Sequence, residues 1–174
     1  MSQGECKKLL DADKMRFPSL TRWQESIQME IKESRTLYNL YGRPKRFLGL
    51  MNDNLFRSAY SYKPQSTIAE LLNRGMIKMC NDPRLGRDQY DIDLLTTVHD
   101  SVVFQLSNKS IPDLLQILLI IRDHLTHTFT YKGRSFTIAL DAKIGYQWAG
   151  DTAEIKDFTQ PSIDKALRKI GADI

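Results

Sequence analysis

An aspartate and a histidine separate two short alternating stretches in the middle of the chain. Residues 91–106 read Asp-Ile-Asp-Leu-Leu-Thr-Thr-Val-His-Asp-Ser-Val-Val-Phe-Gln-Leu. Apolar side chains occupy the even positions, at Ile92, Leu94, Val98, Val102, Phe104 and Leu106. This period-two pattern around a polar break predicts two strands joined by a tight turn. A carboxylate at the rigid tip of such a hairpin could hold a hard cation such as magnesium, which makes Asp100 a candidate metal ligand. A surface turn without a ligand fits the same residues, because aspartate is a common turn former.

A second candidate site is a basic segment that follows a glycine. Gly42 precedes Arg43, Lys45 and Arg46, so three cations fall within four positions. Cations beside a glycine turn suggest contacts with backbone phosphates. A solvated loop without a ligand explains the composition equally well.

Length and composition are typical of one soluble globular domain. The chain has 174 residues, of which 41% are hydrophobic and 26% charged, and its net charge of +4 fits a polyanionic partner without establishing one. Cys6 and Cys80 form neither a disulfide framework nor a zinc site, which indicates a reducing compartment. Residues 114–121, the longest apolar run, are too short to span a bilayer. We therefore expect a cytoplasmic protein, or one of the host cytoplasm if the source is viral, with no membrane partner.

The elements that would position these residues begin with helices. Ser2 and Glu5 form a capping box for a first helix with Leu9 and Leu10 on its inner face, and Pro18 begins a second helix. A short helical piece over residues 54–60 is followed by a long helix that starts near Pro64. The apolar stripe of that helix comprises Ile68, Leu71, Leu72, Met76 and Met79.

The second half of the chain predicts a mixture of strands and helices. After the central hairpin we expect a buried helix over residues 111–125, beginning around Ser110, then one strand over residues 135–144 and a weaker helix after Pro161. Trp23, Trp148 and the methionines of the long helix fit best as core residues. The order predicts an α+β domain in which an antiparallel sheet, including the central hairpin, packs against helices.

Three blocks of sequence, together with a short Gly-x-x-Trp match, carry a resemblance to a known family. Residues 40–46, Leu-Tyr-Gly-Arg-Pro-Lys-Arg, are similar to a Thr-Leu-x-Gly-Arg-Arg segment, and residues 57–70, Arg-Ser-Ala-Tyr-Ser-Tyr-Lys-Pro-Gln-Ser-Thr-Ile-Ala-Glu, to Arg-x-Ala-x-Asn-x-x-x-Gln-Gly-Thr-Ala-Ala-Asp. Residues 98–101, Val-His-Asp-Ser, resemble motif C, Val-His-Asp-Glu, and residues 145–148 resemble a Gly-x-x-Trp. In this order the blocks resemble the C-terminal palm of family A DNA polymerases, the DNA polymerase I family. The resemblance covers residues 17–149.

The resemblance implies template-dependent nucleotidyl transfer with two magnesium ions, on a DNA primer-template with deoxynucleoside triphosphates. Asp100 would be the motif C metal ligand and His99 would lie beside the primer terminus. Ser101 stands where the family has a second acid near the metals. Contacts with DNA would come from the basic segment, the short helical piece and the long helix. The implied DNA-binding residues are Arg43, Lys45, Arg46, Arg57, Gln65 and Thr67.

The chain also departs from the family pattern. Ser101 removes one motif C acid, and a His-Asp-Ser motif also resembles single-subunit phage-type RNA polymerases. Ser61, Ser66 and Glu70 replace the family's Asn, Gly and Asp. The motif A aspartate and the fingers lie upstream of these blocks in the family. We therefore expect one half of a split polymerase, of phage type, completed by a second polypeptide that carries motif A and the fingers. The expected division is N-terminal helices over 1–34, a palm-like domain over 35–150 and a tail over 151–174 that could dock the partner.

Other functions remain open on the sequence. A palm remnant without activity could bind only DNA or a polymerase partner, which Ser101 favours. A small metal-dependent hydrolase could be built on Asp100, Asp91 and Asp93, although the latter two lie at the far end of the strand. His124 and His127 could bind a metal, or could simply mark a helix end.

Overall fold

The chain forms two compact units in the computed structural model, which describes residues 2–86, 89–107, 111–148 and 150–172. One unit comprises residues up to 70 and the other the residues from 71 onward. The fold is α+β, as predicted. The single sheet that we expected is instead a set of two-stranded antiparallel sheets, four in the described residues. The three-part division at residues 34 and 150 stays a prediction.

The first unit combines helices with a short β-hairpin. Its elements are α1 (Gln3–Arg16), α2 (Pro18–Ser34), β1 (Thr36–Tyr38), β2 (Pro44–Arg46) and the first part of α3 (Asp53–Cys80). The Ser2 capping box is confirmed, since the Glu5 backbone N–H donates to Ser2 Oγ and the Ser2 N–H donates to the Glu5 carboxylate. Leu9 and Leu10 are exposed, so the predicted inner face of α1 is wrong.

The core of the first unit lies between α2, the hairpin and α3. Ile27 and Ile31 are four residues apart, so both face inward from α2. Leu20, near the start of the same helix, is exposed. Trp23 packs at the edge of this core, in agreement with the prediction. The buried members are Ile27, Ile31, Leu37, Phe47, Leu55 and Ala59.

Helix α3 runs without interruption through Pro64, so the predicted start of a helix near this proline is wrong. A proline inside a helix loses one hydrogen bond and costs about 3 kcal/mol relative to alanine. Contacts on both sides of the proline offset this cost. Ala59 is buried before it, and the hydroxyl of buried Thr67 donates to the Lys63 carbonyl at 2.7 Å after it.

The second unit contains the C-terminal end of α3 and all later elements. They are a 3₁₀ turn (Pro83–Leu85), β3 (Ile92–Val98), β4 (Ser101–Leu106), α4 (Leu114–Leu125), β5 (His127–Tyr131), β6 (Arg134–Ile138), β7 (Ala142–Gly145), β8 (Thr152–Ile155) and α5 (Gln160–Lys169). Helix α4 begins at Leu114, later than the predicted start, and Ser110 lies outside the described residues. The single strand predicted over residues 135–144 is wrong, because β6 pairs with β5 and β7 pairs with β8. The alternation of side chains continues through the segment between β6 and β7, so the sequence pattern does not show where one strand ends and the next begins.

Two buried clusters form the core of the second unit. The larger contains Leu114, Ala153, Ile155, Ile163, Ala166, Leu167 and Ala172. The smaller contains Met79, Tyr90, Ile117 and Ile121. The prediction of core methionines in α3 is confirmed for Met79, whereas Met76 is only half-buried. Trp148 is exposed, so the prediction of a core residue is wrong there. No described helix is both long and apolar enough to cross a membrane.

Candidate functional site

The predicted hairpin exists and lifts Asp100 to its tip. β3 and β4 pair antiparallel, with Val98 opposite Ser101, so His99 and Asp100 form a two-residue turn. His99 has φ of 55°, in the left-handed region that tight turns require. The Ser101 hydroxyl donates to the Val98 carbonyl at 2.8 Å and closes the turn.

The Asp100 carboxylate is available to a ligand. The residue is exposed, and it makes no hydrogen bond or ion pair with any residue that the structure describes. His99 and Ser101 are exposed as well. Among the described residues, the Asp100 carboxylate and the Ser101 hydroxyl are the side-chain oxygens at this tip.

The base of the hairpin is anchored in the smaller core cluster. Ile92, Phe104 and Leu106 pack against the cluster of Met79, Tyr90, Ile117 and Ile121. These contacts join the hairpin to α4 and to the end of α3. The tip is thus held on a packed scaffold. A site that depends on a fixed carboxylate needs such a scaffold.

A β-bulge changes which residues share a face of the hairpin. The register shifts between Leu94 and Thr96, so β3 contains one extra residue. Beyond the bulge Thr97 lies opposite Val102, and Val98 moves to the other face. Val98 therefore does not share a face with the other apolar residues at even positions, although the sequence had suggested that it would. A bulge cannot be recognised from the side-chain pattern of one strand alone.

The predicted basic segment is a hairpin of the first unit, in which Arg43 and Lys45 have partners within the protein. Arg43 pairs with Glu70, with its Nη2 at 2.6 Å from a side-chain oxygen, although the Arg43 side chain remains 60% exposed. Lys45 Nζ lies 5.2 Å from the ring centroid of Phe47 and 5.4 Å from that of Tyr62. Arg46 is exposed. The segment presents cations to solvent in a fixed arrangement.

Helix α3 holds this hairpin along one side. Tyr62 donates its hydroxyl to the Arg43 carbonyl at 2.6 Å, and the Ser66 hydroxyl accepts from Asn39 at 3.0 Å. Together with Glu70 these residues are spaced by four positions, so they share a face of the helix. Two of them, Ser66 and Glu70, are departures from the family pattern, and both contact the hairpin.

Arg57 and Gln65 lie on another side of α3. They are eight residues apart, which places them about 12 Å apart along the helix axis and about 80° apart around it. Both are exposed, and neither makes a hydrogen bond or ion pair with other described residues. Thr67 differs, since it is only 4% exposed and its hydroxyl is engaged with Lys63. Thr67 therefore lies inside the fold, whereas the sequence predicted a residue that contacts DNA at this position.

The second unit contains an ion-pair network that the sequence did not predict. The Asp82 carboxylate accepts from Arg84 at 2.6 Å and lies 2.6 Å from His124 Nε2. Hydrogen bonds from Arg84, followed by the one from His124, hold the pKa of Asp82 far below its usual range. The network links the 3₁₀ turn after α3 to the last turn of α4, which explains His124 without a metal.

His127 is separated from His124 by the end of the helix. It is the first residue of β5, and its Nε2 is buried without a hydrogen-bond partner among the described residues. Burial, and then the charge of Lys78, lower its pKa. No group of three metal-binding side chains occurs within the part of the chain that the structure describes, so neither the histidine site nor the three-aspartate hydrolase site is formed there.

Comparisons with known proteins fit this architecture. No protein-family model matches the chain. DNA polymerase I from one strain of Helicobacter pylori is 27% identical over 131 residues, and that from a second strain is 29% identical over 128 residues. The matches cover 72% and 70% of this chain. The chain is homologous to DNA polymerase I. It spans only 14% of the length of these DNA polymerase I relatives.

A solved structure supports the fold of this DNA polymerase I homologue. The POL domain of Pol1 from M. smegmatis, in complex with DNA primer-template and dNTP, matches with a TM-score of 0.59 and 19% identity. The match covers 72% of this chain and 22% of that one. Sequence and fold comparisons both place this chain's similarity in DNA polymerase I and its polymerase domain, in line with the family resemblance.

Proposed function

We propose that this chain is the C-terminal palm part of a template-dependent DNA polymerase and that Asp100 contributes a carboxylate to its catalytic centre. The observation that carries the proposal is the hairpin tip. Asp100 is exposed, unpaired among the described residues and fixed by a closed turn, within a region homologous to DNA polymerase I. The exposed His99 would lie beside the primer terminus.

The donors at the tip are of the right kind for magnesium but too few. Mg²⁺ prefers carboxylate and other oxygen ligands, which Asp100 and Ser101 provide. A two-metal centre needs ions about 3.5–4 Å apart, and one carboxylate and one hydroxyl cannot hold both. Magnesium, once bound in the completed site, would neutralise triphosphate charge and lower the pKa of the primer hydroxyl.

We further propose that a second polypeptide completes the centre. It would carry the motif A carboxylate and the fingers that grip the incoming deoxynucleoside triphosphate. The support is chemical: the tip offers one carboxylate, and the described residues contain no cluster of metal ligands. The homology to DNA polymerase I concerns one region of those relatives. A second polypeptide is proposed in addition to it.

The DNA contacts in this proposal come from two sides of α3. Arg57 and Gln65 would face the minor groove, where acceptors common to all correct pairs let an enzyme test geometry without reading sequence. Arg43, Lys45 and Arg46 would hold backbone phosphates. The Arg43–Glu70 pair would orient the arginine while leaving most of its side chain accessible.

A non-catalytic palm remnant is the second candidate function. The Ser101 hydroxyl, which replaces the motif C acid, is engaged with the Val98 carbonyl, as expected of a residue that only closes the turn. Such a remnant would bind DNA or a polymerase partner without supporting extension. A part of a single-subunit RNA polymerase is a lesser alternative, which a preference for ribonucleotides would reveal.

Reconstitution of primer extension tests the proposal. The tagged chain is purified from its source cells, its bound polypeptide is identified by mass spectrometry, and both are produced recombinantly. We expect the chain alone to be inactive and the pair to extend a DNA primer with deoxynucleotides. Extension by the chain alone would refute the split assembly. A pair that binds primer-template without extending it would instead support the remnant.

A further inference from the structure

The β5–β6 hairpin carries a surface that the proposed polymerase site does not use. Residues 127–138 read His-Thr-Phe-Thr-Tyr-Lys-Gly-Arg-Ser-Phe-Thr-Ile, with two cations, three Phe or Tyr rings and no carboxylate. In the antiparallel register Phe129 lies opposite Phe136, and Tyr131 lies opposite Arg134. Residues that are directly opposite share a face of the ribbon, so the rings and the arginine lie together.

The opposite face of the ribbon is a ladder of hydroxyl groups. Thr128 and Thr137 are joined by a 2.8 Å hydrogen bond between their Oγ1 atoms, and Thr130 and Ser135 by one of 3.1 Å. These side chains satisfy one another across the strands. The ribbon therefore has one hydroxyl face and one aromatic face.

The aromatic face is open towards the tip. The Phe129 and Phe136 rings are stacked, with centroids 5.8 Å apart and planes inclined by 29°. Phe136 is nevertheless 46% exposed, and Tyr131 is 42% exposed. At the turn, Lys132 Nζ lies 5.5 Å from the centroid of the Tyr131 ring. Ring surfaces and cations thus alternate within a few residues.

We propose that the distal half of this hairpin binds single-stranded nucleic acid. Bases would stack on Tyr131 and Phe136, and phosphates would contact Lys132 and Arg134. Single strands are bound by aromatic platforms combined with positive charge, because every base has a ring face and every linkage a negative charge. The lack of any carboxylate on the ribbon favours this polyanion over a protein segment. The inference that the hairpin binds a single strand does not depend on the proposed function. Only the inference that this strand is DNA rests on the proposed function, because a copying polymerase handles an unpaired template strand.

Binding of a fluorescent oligothymidylate to the full-length chain, followed by anisotropy, tests this inference. Tyr131→Ala and Phe136→Ala should each weaken binding roughly 5- to 150-fold, the loss expected when one stacked base loses its platform. Replacing Lys132 and Arg134 by alanine should lower the slope of log affinity against log salt by about 0.7 per cation. A 2-aminopurine base in the oligonucleotide should be quenched by the wild type and not by the ring variants.

Matched variants separate this site from other surfaces. Thr128→Ala on the hydroxyl face and Arg168→Ala on α5 should leave affinity within twofold of the wild type, and circular dichroism confirms that each variant is folded. Unchanged affinity and quenching in folded ring variants would overturn the inference. The anisotropy assay needs neither extension nor a second polypeptide, so a failed polymerase assay and a failed hairpin site give different results.

Discussion

Asp100 and Asp82 are carboxylates of the same unit with opposite surroundings. Asp100 is exposed at a turn and unpaired among the described residues, whereas the Asp82 side chain is 7% exposed and bound by Arg84 and His124. A carboxylate whose hydrogen bonds are made inside the protein stabilises the fold, and one without partners is free for a ligand. The two residues illustrate how surroundings, and not residue type, separate a structural acid from a candidate metal ligand.

Asp82→Asn should change the acid stability of the protein. The folded-state pKa of Asp82 is depressed, so its contribution is complete above the unfolded value of about 3.9 and is lost as pH falls below it. The variant should have a lower melting temperature at pH 7 and a shallower decline between pH 5 and pH 2. Melting curves across this range measure both effects. Asp91→Asn serves as the control, and an unaltered pH profile in Asp82→Asn would contradict the role of the network.

The Ser101 side chain shows what the sequence could not reveal at the scale of one residue. The replacement of the motif C acid was visible, and so was the loss of one metal ligand. The hydrogen bond from Ser101 to the Val98 carbonyl could not be predicted, because a serine hydroxyl can bond to several nearby backbone groups. Thr67 is similar: its place in a family motif suggested DNA, while its burial depends on the packing of the β1–β2 hairpin against α3.

At the scale of the elements, the packing of α4 against α3 depends on Gly75. A Cβ at this position would lie 2.7 Å from Leu125 Cδ2 and 2.8 Å from the His124 carbonyl oxygen. The backbone oxygen cannot move without disturbing the end of α4. The glycine thus permits the close approach of two helices that pack beneath the β3–β4 hairpin.

Gly75→Ala should destabilise the protein by about 1–3 kcal/mol, the usual cost of overpacking, despite the better helix propensity of alanine. Gly4→Ala is the matched control, since it also lies in a helix and nothing lies within 4 Å of its added Cβ. We expect the control to be neutral or stabilising by up to about 1 kcal/mol. Urea denaturation compares the two, and equal effects would exclude a packing role for Gly75.

Elements with strong local signals were predictable from the sequence. The Ser2 capping box, the helix after Pro18 and the central hairpin are all confirmed. Failures occurred where tertiary contacts override local preference. Pro64 predicted a helix start, but packing on both of its sides keeps α3 continuous.

Strand pairing was the other limit of the sequence. The alternation over residues 135–144 fits one strand, yet β6 and β7 belong to different sheets. β5 and β8, their partners, gave too weak a pattern to be predicted. Register and pairing are set by partners that are distant in sequence, so one strand read alone cannot reveal a bulge or a break.

At the scale of the whole molecule, the C-terminal segment is part of a core. Ile155, Ile163 and Leu167 are buried with Leu114 of α4, so residues after 150 contribute to the packing of the second unit. A role in docking a partner stays a prediction, and it would fall to the exposed side of α5. The segment could not be recognised as a core element because its helix is short and its strand has four residues.

Leu167→Ala should therefore cost about 2–5 kcal/mol of unfolding free energy, the range for a buried leucine in a packed core. Leu10→Ala replaces an exposed leucine of α1 and should change stability by no more than about 0.5 kcal/mol. Thermal or urea unfolding gives both values. A Leu167 variant as stable as the wild type would mean that the C-terminal helix is not part of the cooperative core.

The proposed role of Asp100, in the proposed polymerase of two polypeptides, is tested most directly by single-turnover incorporation of one deoxynucleotide by that pair. Asp100→Asn should slow this step roughly a hundredfold or more, since a metal ligand supplies several kcal/mol of charge stabilisation, while primer-template affinity stays near that of the wild type. Asp91→Asn, on the same hairpin at its far end, should retain the wild-type rate. Full activity of Asp100→Asn would contradict a catalytic role for the hairpin tip.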